Sequence, residues 1–82
     1  MNVSREIAFY EKIGETHIES FPINIPLTKL INILDVDVED DPEVYKVYEI
    51  NENQFLELQK FVPELKRIDF ENIDVFYECF EI

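Results

Sequence analysis

The sequence predicts an α+β fold, with two helices packed on one face of a four-stranded, mainly antiparallel sheet in the order β-β-α-β-α-β. Two observations predict this class: residues that alternate in polarity, as strands do, lie at both ends of the chain, and two segments between them carry apolar residues at helical spacing. The length of 82 residues, 46% of them hydrophobic, suits a single domain over residues 1–82 and leaves no room for a second core.

The first 23 residues favour a β-hairpin. Residues 4–12 predict a strand that is moderately apolar on both faces, with Ile7 and Phe9 on one face and Ala8 and Tyr10 on the other, and residues 15–23 alternate in polarity. Gly14, the chain's one glycine, lies between the two segments, and a hairpin is expected to turn there. An amphipathic helix over residues 4–13 is the alternative, because some apolar residues of this segment also fit helical spacing.

Two helices are predicted from the residues that begin them. Pro26 suits the first turn of one helix, because a proline there removes no hydrogen bond that the helix would have made. Asn51 and Gln54 form a capping-box pattern at the start of the other, and Pro63 ends that helix or restarts it as a short turn. The expected apolar stripes are Leu27, Leu30, Ile31 and Leu34 in the first helix, and Phe55, Leu58 and Val62 in the second.

Two further strands complete the sheet. Residues 44–50 are rich in β-branched and aromatic side chains, which predicts the most clearly marked strand of the chain. Residues 73–82 alternate in polarity and predict a long last strand, with a parallel crossover from residues 44–50 as one possible connection. On this last strand we expect one face to pack on the helices (Ile73, Val75, Tyr77, Cys79) and the other to face away (Asp74, Phe76, Glu78, Phe80).

The formal net charge is −12, and it is unevenly distributed. Residues 1–34 carry four acidic and three basic residues, whereas residues 35–82 carry fifteen and four. A field of this sign repels nucleic acid and anionic membranes and attracts basic proteins. Cys79 is the one cysteine and no apolar run is long enough to span a membrane, so we expect a cytoplasmic protein that binds neither nucleic acid nor membrane.

Residues 35–43 hold six carboxylates in nine residues, without matching a known ion site. Asp35, Asp37 and Glu39 fit the first ligand positions of a calcium-binding EF-hand loop. The match then fails, because Asp40 stands where that loop needs glycine and Lys46 where it needs glutamate. With no nucleophile motif near the one histidine, His17, we predict neither an enzyme nor a metal or other cofactor.

The charge pattern predicts a site for a basic protein partner. One alternative is that residues 35–43 are only a solvated loop. Another is that Phe76 and Phe80 pack in a small second cluster under a loop or helix. A second acidic run extends from Asp69 to Glu81, and if it folds together with residues 35–43, the two form a single surface. The predicted partner-binding residues are Asp35, Asp37, Glu39, Asp40, Asp41, Glu43, Tyr45, Tyr48, Asp74, Phe76 and Glu78.

The chain resembles the small acidic immunity proteins that neutralise bacterial toxins of contact-dependent growth inhibition and bacteriocin systems. The resemblance lies in size, acidity, the order of elements and residues 40–45, where the acidic stretch meets the predicted strand. The resemblance implies an inhibitor or antitoxin that caps a basic toxin domain, often a C-terminal nuclease, by presenting carboxylates where substrate phosphates would sit. A DNA-mimic inhibitor of a host DNA-binding protein is one alternative. Another is a structural or adaptor protein that forms a homodimer through Phe76 and Phe80.

Overall fold

Four strands form one antiparallel sheet, and the computed structural model describes them within residues 2–82. The strands are β1 (Val3–Glu11), β2 (His17–Pro22), β3 (Tyr48–Glu49) and β4 (Ile73–Glu81); the helices are α1 (Leu27–Leu34) and α2 (Glu52–Leu58). The spatial order of the strands is β2-β1-β4-β3. The predicted α+β class and the predicted order of strands and helices are confirmed.

The hairpin of β1 and β2 is confirmed over the alternative helix. Gly14 takes a positive φ of 89° in the turn, a conformation that glycine adopts without a steric penalty. The next residue, Glu15, is also left-handed, with φ of 55°. The turn closes through a 2.9 Å hydrogen bond from the Glu11 N–H to the Thr16 carbonyl.

Both predicted helices begin where their first residues place them. The predicted extent of the second helix is wrong, because α2 ends at Leu58 and Val62 lies outside it, although Val62 is buried. Pro26 is the N-cap of α1, and Asp35 ends that helix in the left-handed conformation, donating its N–H to Ile31. At the start of α2 the Asn51 side chain accepts from the Gln54 N–H at 2.8 Å, and the Gln54 side chain accepts from the Asn51 N–H at 2.9 Å. This reciprocal pair is the predicted capping box. The chain continues after α2 in two 3-10 turns, Pro63–Arg67 and Phe70–Asn72.

The strand predicted over residues 44–50 is wrong in its extent, because only Tyr48–Glu49 is strand. Val44 lies in the left-handed region, with φ of 55°, which an extended strand excludes. The N–H groups of Tyr45 and Lys46 donate to the Asp41 carboxylate, so a neighbouring strand cannot use them. The short strand that remains pairs antiparallel with β4, and the suggested parallel crossover is absent from the described residues.

The core lies between the helices and one face of the sheet. Ile7 and Phe9 of β1 and Val75 and Tyr77 of β4 are buried there, as the alternation of β4 predicts. The Tyr77 hydroxyl crosses this layer and donates to the Val44 carbonyl at 2.6 Å. The helices and loops supply the rest of the buried cluster, with Leu30, Leu34, Val44, Phe55, Leu58 and Leu65 among its members.

Within residues 2–82, we find no helix with the length and apolar character that crossing a membrane requires.

Candidate functional site

The sheet separates the acidic residues 35–43 from the acidic residues of β4. Residues 35–43, which we call the acidic loop, lie on the helix side: the Arg5 guanidinium donates to the Glu43 carbonyl at 2.6 Å, and Val44 packs in the core. Asp74, Phe76 and Glu78 alternate with the core residues of β4 and so lie on the opposite face. Residues 35–43 therefore do not share a single acidic surface with Asp74 and Glu78 of β4.

Asp41 is the structural centre of the acidic loop. It is 5% exposed, and its carboxylate accepts from the N–H groups of Tyr45 (2.9 Å) and Lys46 (3.0 Å) and from the Tyr48 hydroxyl (2.8 Å). Burial acts to raise the pKa of Asp41, but these hydrogen bonds and the Lys46 charge outweigh it and lower the pKa below its usual value. We therefore assign Asp41 to the fold rather than to a partner surface.

Other carboxylates of the acidic loop also have partners that are close in the sequence. The Asp37 carboxylate accepts from the Glu39 N–H at 3.0 Å, and this hydrogen bond closes a local turn. Asp40 pairs with the Lys46 ammonium, and their hydrogen bond raises the pKa of Lys46. Asp35, Asp37, Glu39, Asp40 and Glu43 are nevertheless solvent-exposed, so the loop presents negative charge on the helix side.

The two tyrosines beside the loop have different positions. Tyr45 is exposed, with the Arg5 guanidinium 6.0 Å from its ring centroid. Tyr48 lies in the sheet opposite Tyr77 and holds the Asp41 carboxylate through its hydroxyl. Burial first, and the Asp41 hydrogen bond second, raise the pKa of Tyr48 to about 12. Of the two, only Tyr45 suits a direct partner contact.

We call the other side of the sheet the open face, because the core elements pack on the opposite side. The register of β1 and β4 places Tyr10 beside Asp74, Ala8 beside Phe76 and Glu6 beside Glu78. The Tyr10 hydroxyl donates to Glu78 Oε2 at 2.6 Å. The Tyr10 ring meets Phe76 edge to face, with centroids 5.6 Å apart and the ring planes at 79°.

The open face concentrates negative charge. Glu6 and Glu78 stand directly opposite each other on neighbouring strands, an arrangement that is destabilising for like charges. The hydrogen bond to Glu78 raises the pKa of Tyr10, with burial and the charges of Glu78 and Glu6 as further causes. The ion pairs found among residues 2–82 join Lys46 to Asp40, Lys60 to Glu57 and Arg67 to Glu19, so none of them neutralises this face.

A shallow depression of about 290 Å³ lies on the open face. Phe76 and Tyr10 contribute aromatic rings to it, and Val47, which is 61% exposed, contributes an apolar side chain. The depression is lined by Tyr10, Glu15, Val47, Asp74, Phe76 and Glu78. Apolar side chains and carboxylates therefore meet in one concave site.

The aromatic residues of β4 differ in exposure. Phe76 is half-buried against Tyr10, so it belongs to a small aromatic cluster, but that cluster lies in the sheet and under no helix. Phe80, further along β4, is 51% exposed. The open face thus combines carboxylates with accessible aromatic surface, a composition found at protein interfaces.

Sequence reasoning found three residues of this site and missed four. Asp74, Phe76 and Glu78 followed from the alternation of the last strand. Glu6 and Tyr10 were missed because only the pairing register of β1 with β4 brings them alongside, and no local signal specifies that register. Glu15 and Val47 were missed as well, because they reach the depression from a turn and a loop.

We find no group of three His, Cys, Asp or Glu side chains that converges as a metal site in the part of the chain that the structure describes.

The fold and the site together define a small α+β domain with one helix-covered face and one acidic, aromatic face. Residues 4–82 match the model of a family described as a domain of unknown function, DUF7683, and the chain belongs to that family. Comparisons with curated proteins and with solved structures found no match.

Proposed function

We propose that this protein is a cytoplasmic immunity protein or antitoxin that binds a basic toxin domain, a nuclease in the first instance, through the open face. The observation that carries the proposal is the combination on this face of half-exposed aromatic rings with carboxylates that take part in none of the ion pairs found among residues 2–82. The role is one of binding, in which the protein acts stoichiometrically.

Charge supports a basic partner. Proteins of opposite charge associate fast, and their association rate falls as ionic strength rises. A net charge of −12 therefore steers a cationic domain towards the chain. A nuclease fits because its active site attracts phosphate, and carboxylates can occupy the same positive groups. The like-charge pair of Glu6 and Glu78 costs stability in the free protein, and a cationic partner would relieve that cost.

Aromatic side chains support a protein partner rather than a diffuse ion atmosphere. Aromatic rings at the centre of an interface supply much of its binding energy, while the surrounding charges set orientation and association rate. On the open face Phe76 lies near the middle of β4, and Tyr10, near the end of β1, packs against it. The carboxylates of this face are around them, on Glu6, Asp74 and Glu78. The acidic loop, on the other side of the sheet, adds to the long-range field.

The test uses two double charge reversals with equal effect on net charge. Glu6→Lys with Asp74→Lys changes the open face, and Glu39→Lys with Glu43→Lys changes exposed positions of the acidic loop. Binding to the purified product of the neighbouring reading frame is measured by calorimetry, together with the toxic activity of that product. We expect the open-face variant to lose at least 100-fold in affinity, which follows from several charge contacts of about 1–2 kcal/mol each.

The loop variant is expected to lose far less affinity, mainly through slower association. Equal losses in the two variants would show that only net charge matters, and an open-face variant that still binds and neutralises would refute the proposal. Two further measurements, on the wild type, separate the two alternatives. A DNA mimic would bind a host DNA-binding protein rather than the neighbouring product, and a homodimer through Phe76 and Phe80 would appear in light scattering at high concentration.

A further inference from the structure

We infer that the depression on the open face receives one arginine side chain of the basic partner. The inference rests on the proposed function and names the group that the face recognises. Its starting point is the apolar part of the depression, which Phe76, Tyr10 and Val47 form. A concave apolar site flanked by carboxylates suits an occupant that is both cationic and able to pack on rings.

The size of the depression suits a single side chain. Its volume of about 290 Å³ is at the lower limit of pockets for small molecules, which run from about 300 to 1,000 Å³. It is also open to solvent, so it would enclose a free small molecule poorly, whereas a side chain of a docked protein is covered by the rest of that protein. A side chain of a docked protein meets both conditions.

The carboxylates favour a cation in this position. Asp74 and Glu78 lie on either side of Phe76 along β4, so a positive group above the Phe76 ring has a carboxylate in both directions. Glu78 is held in place because its Oε2 accepts from the Tyr10 hydroxyl, while its second oxygen keeps its acceptor capacity. Glu15, on the hairpin turn, adds a third negative charge at the rim.

Arginine fits this site better than lysine. Its guanidinium is planar and weakly hydrated, so it packs on an aromatic ring while its N–H groups reach carboxylates at the ring's edge. A lysine ammonium is compact and strongly hydrated, and it would leave the apolar surface of Phe76 and Val47 uncovered. Arginine is also one of the residues that most often dominate interface energies.

The test titrates the intact protein with three probes and follows backbone amides by ¹⁵N NMR at low salt. The probes are the N-acetyl amides of arginine, lysine and citrulline, the last being a neutral analogue of arginine with nearly the same shape. We expect saturable shifts at Tyr10, Asp74, Phe76 and Glu78 with arginine, with a Kd on the order of 1 mM, as suits a ligand of this size. Lysine should bind at least threefold more weakly, and citrulline should not saturate.

Two variants locate the effect. Asp74→Asn keeps the shape of the side chain and should weaken arginine binding severalfold. Glu39→Gln, which removes one charge from the exposed acidic loop, should leave it unchanged. If Phe76→Ala folds, judged by its amide spectrum, it should remove the preference for arginine over lysine; if it does not fold, Asp74→Asn alone decides the location.

Several results would overturn the inference. These are equal binding of arginine and citrulline, shifts centred on the acidic loop, no saturation by arginine, or an Asp74→Asn variant that binds like the wild type. Failure here is distinguishable from failure of the proposed function. If arginine does not bind but the open-face reversals still abolish partner binding, only the arginine site is wrong. If arginine binds and those reversals have no effect on the partner, the proposed function is wrong instead.

Discussion

In the acidic loop, Asp37, Asp40 and Asp41 each accept a hydrogen bond from their own segment, whereas on the open face Glu78 accepts one from Tyr10. Both regions are rich in carboxylates, but they use them differently. The loop is denser in acid, yet its most buried carboxylate holds the fold together. The open face is sparser, and its carboxylates are part-buried beside aromatic rings. Acid density in a sequence is therefore a poor guide to a partner surface unless the internal donors are known.

The largest effect that this comparison predicts is on stability, at Asp41. Asp41→Ala removes the acceptor for two N–H groups and the Tyr48 hydroxyl, and we expect a loss of about 2–4 kcal/mol in the free energy of unfolding. Urea denaturation measures it. Asp40→Ala is the matched control: it removes an exposed ion pair that solvent screens, so its effect should be much smaller. Equal losses at the two adjacent positions would contradict the structural role of Asp41.

A second prediction concerns pH and again separates Asp41 from its neighbours. The pKa of Asp41 is lower in the folded state than its usual value of 3.8, because hydrogen bonds stabilise the carboxylate. A depressed pKa contributes stability that is fully present above the unfolded pKa and is lost as pH falls through the folded pKa. The stability difference between wild type and Asp41→Asn should therefore shrink as pH falls below about 3.8.

Urea denaturation at pH 7, 5 and 3 tests this prediction, with Asp40→Asn as the control. We expect the wild-type advantage over Asp41→Asn to be the same at pH 7 and 5 and reduced at pH 3. An advantage that does not change down to pH 3 would show that the Asp41 carboxylate contributes no pH-dependent stability.

The parts of the fold that sequence predicted are those with local causes. Gly14 permits the hairpin turn, and Asn51 with Gln54 caps α2, because each depends on residues close in the chain. The prediction of a strand over residues 44–50 was wrong in its extent, and β-propensity alone does not contain the reason. The Asp41 carboxylate binds the two N–H groups that the strand would have used, and Val44 turns left-handed to fill the core.

Only the β4 residues of the site could be predicted from the sequence, because the others depend on how distant segments pair. Alternation along β4 identifies Asp74, Phe76 and Glu78 as one face, since it needs only the two-residue period of a strand. Which side chains of β1 complete that face depends on register. Pairing shifted by one residue would place the buried Phe9, in place of Tyr10, beside the carboxylates.

The smallest predicted effect tests whether charge repulsion on the open face lowers the stability of the free protein. Glu6→Gln removes the like-charge pair with Glu78, and we expect the free energy of unfolding to rise by about 0.3 kcal/mol at low salt. Glu39→Gln in the exposed acidic loop is the matched control, and it should give a smaller gain because no described carboxylate stands opposite it in a strand pair. Added sodium chloride should stabilise the wild type more than Glu6→Gln, because salt screens the repulsion that the variant lacks.

A loss of stability in Glu6→Gln would mean that Glu6 and Glu78 do not repel each other in the folded protein. The open face would then need no cation to relieve it, and the electrostatic argument for a basic partner would rest on net charge alone.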